Sequence, residues 1–192
     1  MTVLILGLLV FLGAHSIRIF ADDWRNRQLA RLGEGKWKGI YSLVSIVGFV
    51  LIVWGYGLAR ADPVWIWQPP VWMRHLAGPL TLLAFVLLAA AYVPRNQIKA
   101  KFHHPMVLGV KVWAFAHLLA HGTLHGMLLF GAFLAWAIAD FAAARRRDRE
   151  AKTVYPAGTV GGTLGALVAG ALAWAAFAFA LHGWLIGVRP FG

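Results

Sequence analysis

The sequence predicts an all-α integral membrane protein, a bundle of six transmembrane helices with five as the alternative. Three observations carry that prediction. Of 192 residues 60% are hydrophobic and only 13% charged, and long uncharged runs recur, as bilayer-spanning helices require. The basic residues are confined to short connections between those runs. Finally, the stretch His103 to Gly126, HHPMVLGVKVWAFAHLLAHGTLHG, places five of the eight histidines and Lys111 in an otherwise apolar segment, where polar groups are costly to bury and mark function.

The first span is Thr2 to Phe20, apolar apart from His15, Ser16 and Arg18; no basic segment precedes it and no small-residue cleavage site follows, so it reads as a helix and not a signal peptide. Ala21 to Lys38 carries Arg25, Arg27, Arg31, Lys36 and Lys38 and reads as a cytoplasmic loop with a short surface helix. Gly39 to Ala59 forms the second span. Arg60 to Pro70, RADPVWIWQPP, reads as an ordered interfacial loop because proline opposes helix and tryptophan favours the interface. The third span runs from Val71 to Tyr92, with Arg74 and His75 in its first turn and Pro79 as a kink site.

Pro94 to Lys101 is a short basic loop. Pro105 suits the first position of the fourth span, which runs to about His121. Gly122 and Thr123 then read as a C-cap followed by an N-cap, a tight turn into a fifth span ending near Ala143. Ala144 to Thr163 is a basic loop, and Thr163 to Ile186 the last span. Residues 1–192 form one domain without an internal repeat.

Loops one, three and five hold five, three and five Lys and Arg, whereas loop two has Arg60 and loop four none. That alternation places both termini outside the cytoplasm. The net charge of +11 therefore points to anionic lipid at the cytoplasmic surface and not to nucleic acid. The chain has no cysteine, which excludes disulfides, thiolate-ligated haem, iron–sulfur clusters and a cysteine nucleophile. No Ser-His-Asp set, phosphate loop or HExxH zinc helix is present. Among carboxylates Asp140 alone falls within a predicted span, so chemistry in the bilayer rests on histidine, arginine or a cofactor.

His117, His121 and His125 are spaced i, i+4, i+8 and fall in a helical sector about 80° wide. Met106, Val110 and Trp113 share that stripe. An imidazole in an apolar bundle serves most simply as a metal or haem ligand, and packing by hydrogen bonds is the competing use at any single position. His75, His117, His121, His125 and His182 lie toward the outer half, and His15, His103 and His104 toward the cytoplasmic side, which leaves two sites open. Arg18, three residues after His15, and Arg74, beside His75, are candidate partners for a haem propionate or snorkelling cations.

The segments LGLLVFLGAHSIRIF, KGIYSLVSIVGFVLIVWGYG, RHLAGPL, HPMVLGVKVWAFAHLLAHG and ALHGWLIGV occur in an order that resembles the NnrU family of bacterial membrane proteins. The resemblance implies a place in denitrification or nitric oxide metabolism. The family is similar to 15-cis-zeta-carotene isomerase, a b-type haem enzyme of membranes. By that similarity His15 and His117 are the axial haem ligands and His121 is an extra or altered site; His75 and His182, near the outer face, are the reserve ligand pair. The isomerase has a cysteine where this chain has Ala114, so a thiol ligand switch is lacking. The resemblance implies a multi-pass protein of the bacterial inner membrane that binds haem b and either acts on a hydrophobic polyene or serves a redox partner. The alternative is an S-adenosylmethionine-dependent methyltransferase, suggested by His104, Pro105 and Gly109, although His103 stands where that element has arginine.

Overall fold

The computed structural model describes residues 1–191 and contains helices but no extended sheet among them. The helices are α1 (Thr2–Phe20), α2 (Asp22–Leu32), α3 (Glu34–Ala61), α4 (Val71–Tyr92), α5 (Gln97–Phe102), α6 (Pro105–Ala120), α7 (Leu124–Glu150), α8 (Val160–Ala176) and α9 (His182–Ile186), with a π-helical turn at Phe177–Leu181 between the last two. Five stretches are long and apolar enough to cross a membrane: α1, α3, α4, α7 and Val160–Ile186. The helix expected as the fourth span, α6, has 16 residues. At 1.5 Å per residue it covers about 24 Å, less than the ~30 Å hydrocarbon layer. Large apolar side chains such as Leu9, Leu43, Phe49 and Val53 face outward, as a lipid-bathed surface requires. The chain is a multi-pass helical membrane protein.

The helices sort into two units. The first comprises Met1–Gln68 with His121–Ala143. Its centre is α1 packed on α3 through glycines that admit no side chain: a Cβ at Gly7 would lie 2.6 Å from Ile52 N, one at Gly48 2.7 Å from Phe11 N, and one at Gly55 2.3 Å from Leu4 N. As the position on α1 rises, the position met on α3 falls, so the helices are antiparallel. Gly48 and Gly55 are one heptad apart on one face, the small-residue arrangement that lets membrane helices approach backbone to backbone. Leu4, Leu8 and Ile52 form the buried core, with Phe11, Tyr56 and Phe133 packed around it. The 60–70 loop is ordered, as expected. Ile66 N and Trp67 N donate to Gly122 O, and Leu124 N donates to Val64 O, at 2.8, 3.2 and 2.8 Å.

The second unit comprises Pro69–Ala120 and the chain from Ala144 onward. Here α4 carries α6 and α8. A Cβ at Gly109 would lie 3.0 Å from Ala84 O, and one at Gly170 2.5 Å from Val86 Cα. Two connections read as loops are partly helical. Asn96, 1% exposed, joins α4 to α5: its amide donates to Ala90 O and Val93 O at 2.8 and 2.6 Å, and its carbonyl accepts from Lys99 N at 2.7 Å. One side chain thus satisfies the orphan groups of two helix ends. Helix α7 runs on through Arg145–Glu150 because charged residues are good helix formers once they are beyond the apolar stretch.

Candidate functional site

His15 projects from α1, half-buried, into an aromatic setting. The ring of Phe11 stacks on it at 4.2 Å, Tyr41 lies 5.2 Å away, and Trp136 meets it edge-on at 6.0 Å. Its Nδ1 is 2.7 Å from Phe11 O. A carbonyl only accepts, so Nδ1 carries the proton and Nε2 the lone pair. A metal-binding histidine is oriented in this way, its second nitrogen held by a carbonyl that fixes the tautomer.

The other half-buried histidine assigned with it, His117 on α6, has the same arrangement. Its Nδ1 lies 2.8 Å from Trp113 O, four residues back, and the Trp113 ring sits 5.1 Å away. In both residues the helix itself sets which ring nitrogen carries the proton. These two histidines lie in different units and are built alike.

The indole Nε1 of Trp136, beside His15, is buried and has no hydrogen-bond partner. Leaving such a donor unmet costs about 1–3 kcal/mol, and a bound group with an acceptor oxygen would remove that cost. Among the described residues no three His, Asp or Glu side chains are grouped to hold a metal ion. Haem asks the protein for single imidazoles, because its porphyrin supplies four nitrogens, and the chemistry of His15 in its own unit, an oriented imidazole beside an unmet indole donor, fits such a ligand.

The remaining sequence candidates are placed differently. Arg18 is exposed and forms an i,i+4 pair with Asp22 at 3.8 Å. Arg74 Nη2 reaches Pro69 O at 3.5 Å. His75 is exposed at the start of α4, whereas His182 donates from Nδ1 to Val188 O at 2.7 Å; no hydrogen bond or ring contact joins the two among the described residues. His121 packs on Phe130 with centroids 5.1 Å apart. His125 is 5% exposed, lies edge-on to Tyr56 and is 3.2 Å from Thr123 Oγ1. Gly109, part of the methyltransferase-like element, is accounted for by its approach to α4.

Sequence reasoning missed Trp136 and the polar group of Arg145, Asp148 and Tyr155 around His103 and His104. His104 and Asp148 are 44 residues apart, and no local spacing joins them.

No curated protein and no solved structure gives a significant match to this chain. The family model described as NnrU protein matches residues 3–190, nearly the whole length, and the chain belongs to the NnrU family.

Proposed function

We propose that the chain is a b-type haem protein of the bacterial inner membrane, with His15 and His117 as axial ligands, serving nitrogen-oxide metabolism as a redox component. The observation that carries this reading is the shared fixing of Nδ1 to a backbone carbonyl, the orientation that metal-binding histidines take. When bound, haem supplies a one-electron couple whose potential is tuned by its axial ligands and surroundings. The chain's own contribution is orientation and exclusion of water. Phe11, Tyr41 and Trp113 hold the imidazoles among aromatic rings, and Trp136 offers one hydrogen-bond donor beside His15. Arg18 and Arg74, the cations assigned to a propionate, would have to exchange Asp22 and Pro69 O for it.

A second reading, isomerisation of a polyene double bond, is favoured by one feature. An apolar groove of about 330 Å³, lined by Ile5, Leu8, Leu9, Leu12 and Leu128 among others, reaches Ser16, the neighbour of His15. It suits a hydrocarbon chain. Optical spectra of the purified protein, oxidised and dithionite-reduced, test the haem reading: sharp reduced α and β bands at one haem per chain are expected, and a colourless protein after haem-replete expression overturns it. Product analysis with a poly-cis carotene separates isomerase from redox component.

A further inference from the structure

A second cluster of ionisable side chains lies where α5 turns into α6. His104 Nε2 donates to Asp148 Oδ2 at 2.7 Å, and the Tyr155 hydroxyl donates to the same carboxylate at 3.1–3.2 Å. His103 lies face to face on the Tyr155 ring, centroids 4.1 Å apart and planes within 10°, while its Nδ1 accepts from Arg145 Nη1. The same Nδ1 is 3.8 Å from Asp148 Oδ2. One ring nitrogen thus stands between a guanidinium and a carboxylate. The His103 backbone has φ +66° and ψ −48°, and His104 N donates to Phe102 O across it at 2.8 Å, a γ-turn of the rare, strained hand that persists only where its surroundings hold it. The side chains of His103, His104 and Asp148 are 27%, 22% and 16% exposed, sheltered yet within reach of solvent protons.

Ligand binding fits this cluster poorly. An anion would meet Asp148, and a metal would have to displace Arg145 from His103 and the hydrogen bonds already made to the carboxylate.

We propose that this corner is an acid-operated switch in which His103 exchanges Arg145 for Asp148. An imidazole ordinarily takes up its proton near pH 6.5. With Nδ1 unprotonated, His103 accepts from Arg145, and that nitrogen has nothing to donate to the carboxylate. Once Nδ1 carries a proton, two cations face each other across the former bond, and the new N–H has Asp148 as its acceptor. Arg145 is then released into the basic run that it shares with Arg146, Arg147 and Arg149, where lipid phosphate is the counter-charge at a membrane surface.

The charged and titratable groups around the corner are Arg145 and Asp148 on α7, Tyr155 on the loop after it, His104 before α6, and Lys99 and Lys101 on α5. Lys99 Nζ donates to Ala91 O at 3.0 Å and Lys101 lies over the Phe102 ring at 5.8 Å, so neither is hydrogen-bonded to His103. Burial, then the bond to Asp148 and that residue's charge, hold the Tyr155 phenol above its ordinary range. Tyr155 therefore stays a donor in both states of the switch.

The test is nitrogen NMR of the full chain, labelled with 15N-histidine in lipid nanodiscs, across about pH 5 to 8. The His103 signals are assigned by their loss in His103→Gln. Nδ1 is expected to pass from unprotonated to protonated as pH falls. Arg145→Gln should move that midpoint to higher pH and Asp148→Asn to lower pH, each by about threefold or more in proton affinity, ~0.5 pH unit. A midpoint equal in the parent and Arg145→Gln overturns the switch, as does an Nδ1 that already carries its proton at the alkaline end. If Asp148→Asn does not fold, the arginine variant alone decides.

Discussion

The histidines within the helices and those at the α5–α6 corner are held by opposite means. His15 and His117 are tied through Nδ1 to the backbone of their own helices, by carbonyls that do not titrate. His103 and His104 are held by Arg145, Asp148 and Tyr155, through bonds whose existence depends on protonation. The difference teaches what each pair can do. A carbonyl lock fixes the turn of the ring and places a proton on Nδ1, as in metal-binding histidines; a carboxylate and a guanidinium give an imidazole that answers to pH.

The comparison breaks most visibly at the first pair. His15→Ala or His117→Ala should lower haem retention by at least about tenfold, read as haem per chain after purification, while Arg145→Gln and Asp148→Asn keep the parent's haem content. Loss of haem in the corner variants would erase the distinction. The next effect is on stability. Asp148→Asn removes the charged acceptor of His104 and Tyr155 and should cost about 1–3 kcal/mol, seen as a lower unfolding temperature in detergent. A smaller effect is expected from Trp136→Phe, which removes the indole donor beside His15 and keeps an aromatic ring there. It should shift the haem band or potential without releasing the cofactor.

The smallest effect concerns alkali. Tyr155 has its pKa raised above the ordinary 10 by burial first and by Asp148 next. The folded state therefore holds the proton more tightly than the unfolded chain. Its stabilising contribution is complete below about pH 10 and is lost as pH rises through the folded-state value. Tyr155→Phe should flatten that alkaline loss in a pH series of unfolding midpoints.

Much of the fold was legible in the sequence because membrane helices announce themselves by length and apolarity. The spans at Thr2–Phe20 and Val71–Tyr92 match their helices end to end, since each begins and ends where the composition changes. Helix α5 was not legible: it is six residues long and depends on the buried Asn96, whose role appears only when α4 is in place. The extension of α7 through its arginines was hidden for another reason, because a charge run marks the end of the apolar layer and not the end of the helix. Of the site, His15 and His117 came from motif order, and their carbonyl locks follow from helical spacing alone. The unmet Trp136 donor and the Arg145–His103–Asp148 relay arise from tertiary packing and leave no periodic trace.

The most direct test of the central claim is low-temperature electron paramagnetic resonance of the oxidised, haem-loaded protein. The account predicts a low-spin ferric signal of bis-imidazole type that gives way to high-spin iron when either His15 or His117 is replaced by alanine and haem is restored. A high-spin signal in the parent, or a low-spin signal that survives both single replacements, would contradict it.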